Sequence, residues 1–423
     1  MKYNKHKIKI SSVVYNFLYL GIYQGFNFLF PLIITPFLLH IIGIVNFGIL
    51  SAVQALMNIF LIIVDYGFNM SGTKEISSNY DNKVIVNNVV NSILCVKVLI
   101  IIFAFVLLAS LIFFVPQFNS QAILYLLSFA LPLGRAFFPV WFFQGMQKMQ
   151  YLIYFSIISK GLAGIFIYIF IRQPEDYIYV NLIIGSMDLI GSILMLVLIY
   201  NNFKYKFYIP IKKDLFTQLK NGFFLFLASF FSMVMSNSYL IILGFFGTGN
   251  EIGIYSVSDK IVFFIKQLPV IAFQAIYPYA CRTWERSKLA FLKLIKKLYV
   301  CFFVILLGIN IIVSFFSIQL VSFFTKSEIE NISKLFSIMC FVSIIAGLNL
   351  PSLIGMLVTN ENKTIGIINF TAAALSILIG ILLIKSYSYW GALGSMFIVE
   401  SFITISQFII LLRKYNKLKH SYL

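Results

Sequence analysis

Charge is scarce in this sequence of 423 residues: 11% of positions are charged, against 61% hydrophobic. A soluble domain carries about a quarter of its residues as Asp, Glu, Lys or Arg, so that class is excluded. Cysteine is nearly as rare. Cys95, Cys281, Cys301 and Cys340 form no CxxC pair, which leaves neither a disulfide framework nor a zinc site. His6, His40 and His420 lie apart near segment ends and make no metal cluster, so neither a metal nor a cofactor is expected. P-loop, GxSxG, HExxH and GxGxxG patterns are missing in any usable context, which argues against ATP-driven transport by this chain alone.

What the sequence has in abundance is apolar runs of about 20 residues, the length of a membrane-crossing helix. Lipid offers no partner for backbone N–H and C=O groups, so helices are the expected form. The runs predict spans near 13–39, 46–65, 87–115, 122–145, 151–171, 178–200, 219–247, 253–278, 295–317, 332–358, 364–384 and 388–412. The basic start, with Lys2, Lys5, Lys7 and Lys9, precedes an apolar stretch too long for a signal peptide, and reads as an uncleaved first span.

Lysine and arginine orient the bundle. With the N-terminus in the cytoplasm, the inner segments hold 23 of them and the outer segments 4, namely Arg172, Lys326, Lys334 and Lys385. That asymmetry predicts both termini in the cytoplasm. The net charge of +18 then belongs to the inner face, where it faces anionic membrane lipids rather than nucleic acid. A polar break at 201–214 divides six spans from six, which predicts two bundles, 1–205 and 206–423. A weak echo supports the division: Phe47-Gly-Ile-Leu-Ser51 opens the second span and Ile252-Gly-Ile-Tyr-Ser256 the eighth. Polar stripes run along the first span of each half, Asn16, Tyr19, Tyr23 and Asn27 in one and Ser229, Ser232 and Ser236 in the other. They suit either close helix packing or a polar cleft.

The most informative residues are the charges inside the spans. A charge at mid-membrane costs roughly 2.5–3.5 kcal/mol, so it survives where it faces protein or water. Lys97, Arg135, Lys160, Lys260 and Lys266 stand against Asp65, Asp188, Asp259 and Glu400. In the middle of the spans the balance is positive, which suits a phosphate-bearing cargo. Arginine offers phosphate a two-pronged fork and lysine a point charge. Arg135 lies between Pro132 and Pro139, and Lys266 precedes Pro269. Proline frees backbone carbonyls and bends a helix, so a kink is expected beside each cation. The competing reading is internal salt bridging of these cations with Asp188 or Glu400. Asp188, Asp259 and Glu400 are candidates for ion coupling or for counter-ions.

Several stretches carry a resemblance. Asp65-Tyr-Gly-Phe-Asn-Met-Ser-Gly-Thr-Lys-Glu-Ile-Ser77 and Pro139-Val-Trp-Phe-Phe-Gln-Gly-Met-Gln-Lys-Met149 resemble the motifs after the second span and at the end of the fourth span in Wzx-type O-antigen and polysaccharide flippases. Gln147 stands where that family commonly has Glu. Leu243-Gly-Phe-Phe, Ile252-Gly-Ile-Tyr255, Asp259-Lys260-Ile261 and Tyr277-Pro278 resemble its second-half pattern. The resemblance implies the multidrug/oligosaccharidyl-lipid/polysaccharide exporter superfamily. It implies an all-α polytopic membrane protein, about 12 transmembrane helices in two six-helix bundles around a central cavity. The implied activity is movement of an undecaprenyl-pyrophosphate-linked oligosaccharide across the bacterial inner membrane, by ion-coupled alternating access and without catalysis. A polysaccharide polymerase and a chain-length regulator would be its partners. Asp65 and Lys74 would map to the cytoplasmic entrance, with Arg135, Lys266, Lys97, Lys160 and Lys260 as cavity cations. Two rivals are a membrane polymerase or glycosyltransferase, for which the short outer loops leave little room, and a drug/cation antiporter of the same fold, which a positive cavity disfavours.

Overall fold

The computed structural model describes residues 10–359 and 361–420; the basic start with Lys2, Lys5, Lys7 and Lys9 lies outside them. Among the described residues every regular element is helical. In chain order these are α1 (Ile10–Asp65), α2 (Phe68–Ser78), α3 (Lys83–Phe114), α4 (Pro116–Asn119), α5 (Ala122–Ser128), α6 (Ala130–Ala136), α7 (Val140–Gly145) and α8 (Gln150–Phe170). A short 3-10 turn, Pro174–Asp176, leads into α9 (Tyr177–Asn202). The remainder are α10 (Lys212–Phe246), α11 (Gly249–Arg286), α12 (Lys288–Phe315), α13 (Ser317–Phe324), α14 (Ile329–Val358) and α15 (Asn362–His420).

Nine helical stretches among the described residues are long and apolar enough to cross a membrane. The expected spans appear with instructive changes. The first two are joined in α1, which is interrupted at Gly43, where φ is 73° and ψ 170°. A backbone with that φ favours glycine, because a Cβ would be strained there. The last two are joined in α15 across Ser388, at φ 49°. The expected fourth span is broken into α5, α6 and α7. Pro132 and Pro139 lack the N–H that would continue the ladder, and Pro139 sits at φ −87°, ψ 57° ahead of α7. By contrast α11 continues as one helix through Pro269. It carries Asp259, Lys260 and Lys266 and is not one of the nine.

The surface is apolar and the polar groups are inside. On α3, Lys97 keeps 1% of its surface while Leu99, Ile102 and Phe103 keep 58%, 56% and 61%. In water such faces would aggregate; facing lipid they need no cover. This is a multi-pass membrane protein.

Two compact units make up the chain. The first comprises residues 1–34 and 57–230. Its core gathers Phe68 and Ile76 of α2, Val86 and Val90 of α3, Trp141 and Phe143 of α7, and Ile199 of α9. Helix α9 is its spine, packing on α5, α6 and α8. The second comprises 35–56 and 231–423. There α14 is the spine, against α11, α12, α13 and α15. Phe291, Ile295, Phe302 and Leu306 of α12 fill the core beside it.

Small residues let the helices approach. In the first unit a Cβ on Gly185 would strike the Ala130 backbone, and one on Gly134 would strike the Gly185 carbonyl. In the second, Gly48 and Gly253 meet backbone to backbone. These two are the glycines of the internal echo, so that echo marks a helix crossing.

Candidate functional site

In the first unit, five charged side chains lie along α1, α3, α6, α8 and α9. Lys97 of α3 donates to Asp65 at the end of α1 over 3.3 Å. The second carboxylate oxygen of Asp65 accepts from Asn69 Nδ2 at 2.6 Å, which fixes the turn through Gly67 into α2. Asp188 of α9 is gripped by Lys160 of α8, with Nζ at 2.9 and 2.7 Å from its two oxygens, and by the Ser159 hydroxyl at 3.2 Å. Local sequence explains the grip. Gly185, Asp188 and Ser192 share one face of α9. Gly185 admits α6, and the Ser192 hydroxyl donates to the Gly134 carbonyl at 2.7 Å. At Gly191 a Cβ would meet Ser159 Cβ at 3.2 Å, so its absence lets α8 close in with Lys160.

Arg135 ends α6 beside this pair but is held differently. Its Nε stands 3.9 Å from Asp188 Oδ2, beyond hydrogen-bond reach. Its Nη2 donates to Asn27 Oδ1 at 3.1 Å. Asn27 is itself fixed, donating to the Tyr23 carbonyl at 2.7 Å. The Tyr23 ring stacks on Phe138 at 6.4 Å, so the polar stripe of the first span meets the broken fourth span at Arg135. The Arg135 side chain keeps 40% of its surface, against 9% for Lys160 and 1% for Lys97. Three cations thus face two acids, and the exposed cation is the arginine.

The second unit holds two cations and two acids in a looser arrangement. Lys266 of α11 lies 4.0 Å from Glu400 of α15 and 3.9 Å from the sulfur of Met396. Glu400 accepts from Asn349 Nδ2 at 3.2 Å, and Asn349 Oδ1 accepts from the Thr404 hydroxyl at 2.6 Å. Lys260 sits 4.4 Å from the Phe47 ring centroid and donates to Gln54 over 3.5 Å. Asp259 feels both Lys266 and Lys260 electrostatically. Asn349, which anchors Glu400, lies ahead of Pro351 in an apolar stretch and gives no charge signal in the sequence.

Lys74 is exposed on α2. The two resemblance motifs meet here through α2 and α7. The Thr73 hydroxyl donates to the Asn69 carbonyl at 2.6 Å and lies 3.2 Å from the Trp141 carbonyl. A Cβ on Gly145 would come within 2.7 Å of Ile76 Cγ2. Trp141 and Gly145 therefore serve the packing of α7 on α2, the helix that carries Lys74 and follows Asp65 across the turn at Gly67. Among the described residues no group of three or more His, Cys, Asp or Glu side chains could hold a metal ion.

Comparison with known proteins follows the same lines. An Escherichia coli (strain K12) protein named "Putative O-antigen transporter" is 28% identical over 307 residues, 70% of this chain and 74% of that protein. A Shigella dysenteriae protein of the same name is 26% identical over 264 residues, 62% of this chain and 66% of that protein. Among solved structures, a multidrug resistance MATE family transporter of the MOP superfamily in an inward-facing conformation superposes with a TM-score of 0.71 at 13% identity, over 90% of this chain and 95% of that one. The lipid II flippase MurJ, in an inward closed conformation, gives 0.69 at 17% identity, over 93% and 87%. The fold is that of the MOP-superfamily transporters. The family model "Polysaccharide biosynthesis protein" matches residues 13–284, more than half of the sequence, and the chain belongs to that family.

Proposed function

We propose that this protein is a flippase that carries an undecaprenyl-pyrophosphate-linked oligosaccharide, the repeat unit of O-antigen or a similar polysaccharide, from the cytoplasmic to the outer leaflet of the bacterial inner membrane. The observation that carries the reading is Arg135: a fixed, exposed guanidinium among buried ion pairs, with N–H groups to spare for a diphosphate. The relatives named as O-antigen transporters support the cargo class. Lys74, exposed on α2, and Asp65 behind it stand at the cytoplasmic entrance of this proposal, and Lys97, Lys160 and Lys260 raise the local positive potential.

Transport proceeds by alternating access between halves 1–205 and 206–423, with both termini in the cytoplasm. Asp259 and Glu400 are the proposed coupling groups. Glu400 stands 4.0 Å from Lys266 and Asp259 shares α11 with Lys260 and Lys266, so both acids are placed to exchange a proton or cation during the cycle. The lipid-linked product would pass to a polymerase and a chain-length regulator. Arg135→Ala is expected to reach the membrane at normal abundance and to abolish surface polysaccharide in a strain lacking its own flippase. Normal polysaccharide in that variant would overturn the assignment.

A further inference from the structure

Lys160 shares one carboxylate with the cation assigned to cargo. Both approach Asp188, but Lys160 sits 2.7 Å from Oδ2 while Arg135 Nε stands 3.9 Å from the same atom. We propose that Lys160 is a positioning residue: by saturating Asp188 it keeps Arg135 available to the anionic headgroup. The inference rests on the diphosphate-binding role of Arg135.

Three observations carry it. Asp188 is buried, at 4% exposure, so its charge must be met by a cation rather than by water. Lys160 is buried as well, donates to both oxygens of Asp188, and leans on the Phe30 ring at 5.6 Å. It therefore has no route to a ligand of its own comparable with that of the exposed arginine. Finally, Arg135 is close enough to replace it. The gap to Asp188 Oδ2 is about 1 Å beyond an ordinary N–H···O contact, a change within side-chain rotation. If Lys160 loses its charge, Asp188 draws the guanidinium across, and the fork that would grip a diphosphate is spent on an internal partner. The Asn27 hydrogen bond opposes that movement on the other side, holding Arg135 towards α1.

The geometry predicts a specific pattern of binding. Wild type, Arg135→Gln, Lys160→Met and Lys160→Met/Asp188→Asn would be placed in nanodiscs and titrated with undecaprenyl pyrophosphate, with melting temperature and folded fraction recorded alongside. Lys160→Met is expected to remain folded, because Asp188 acquires a new partner, and to bind about tenfold or more weakly, the loss of one charge-assisted hydrogen bond. The double variant is expected to recover binding, because nothing then competes for Arg135. Lys160→Arg, which keeps the charge on Asp188, is expected to bind as wild type does. A purely structural role for Lys160 would instead lower the folded fraction and leave binding per folded molecule unchanged, and that result overturns the inference. Weak binding in the double variant overturns it too. Loss of binding in Arg135→Gln with full binding in Lys160→Met removes the inference and leaves the function intact; full binding in Arg135→Gln removes the functional reading itself.

Discussion

The two units treat membrane-buried charge in opposite ways. The first pairs its acids tightly, with N–O separations of 2.7 Å at Asp188 and 3.3 Å at Asp65, and leaves Arg135 over. The second balances two cations against two acids within its spans, yet the ion pair among these four, Lys266 with Glu400, is 4.0 Å apart. A tight pair is a fixed feature, because separating it exposes an unpaired charge to a low-dielectric interior. A loose set costs less to rearrange. In the proposed transport cycle the first unit would present one permanent positive group, and the second would supply the groups that exchange a proton or ion. That division of labour belongs to the proposal of an ion-coupled carrier of an anionic cargo.

The comparison can be broken most sharply at its tight end. Lys97→Met strands Asp65 and is expected to cost about 3 kcal/mol or more, seen as a lower melting temperature and reduced membrane abundance, with partial recovery on adding Asp65→Asn. Lys266→Met should cost less, since the contact it removes is at 4.0 Å and Glu400 keeps its hydrogen bond from Asn349. Equal costs for the two would erase the distinction between the units.

Helix crossings come next. Gly185→Ala and Gly253→Ala each push a methyl into a neighbouring backbone, and about 1–3 kcal/mol is expected from either. Gly161→Ala in α8 meets nothing within 4 Å, so it should be neutral or slightly stabilising. Here the units are predicted to behave alike, and a large effect at Gly161 would contradict the packing.

The smallest effect concerns helix starts. Asn82 caps α3 by accepting from the Ile85 N–H at 3.2 Å. Thr248 and Glu251 cap α11 reciprocally, with the Thr248 N–H donating to Glu251 Oε2 at 2.7 Å. Burial works to raise the Glu251 pKa, but the Thr248 backbone N–H, the Ser388 side chain and the Thr248 hydroxyl together outweigh it, and the carboxyl sits below its usual range. A depressed carboxylate stabilises above its unfolded pKa and loses that contribution as pH falls through the folded value. Asn82→Ala and Glu251→Gln are each expected to cost about 0.5–1 kcal/mol at neutral pH. Only the Glu251 effect should fade on acidification, in melting curves taken from pH 7 down to 3.

Much of this was legible from residue types. The in-span charges, the prolines beside Arg135 and the Tyr23–Asn27 stripe all reached the site by composition and period alone. The echo of Gly48 and Gly253 was visible as a repeat, although its meaning as a contact was not. Lys266 with Glu400 was among the pairings the charges allowed, but the partner that grips Asp188 stayed hidden for a physical reason. Lys160 and Arg135 are both compatible with Asp188 by charge, and only the close approach allowed by Gly185 and Gly191 decides between them. Asn349 was silent because one amide in an apolar run looks like any other until Glu400 is brought beside it. Helical structure breaks ahead of Pro139 and runs on through Pro269, so the same residue type ends a helix at one site and is accommodated within one at the other.

The central claim is that Arg135 is the cation left over for cargo, whereas Lys266 belongs to a neutral set. The most direct measurement is affinity for undecaprenyl pyrophosphate in nanodiscs, for Arg135→Gln and Lys266→Gln against wild type. The account predicts a loss of about tenfold or more in Arg135→Gln and a markedly smaller change in Lys266→Gln. Equal losses in the two variants, or unchanged affinity in Arg135→Gln, would contradict it.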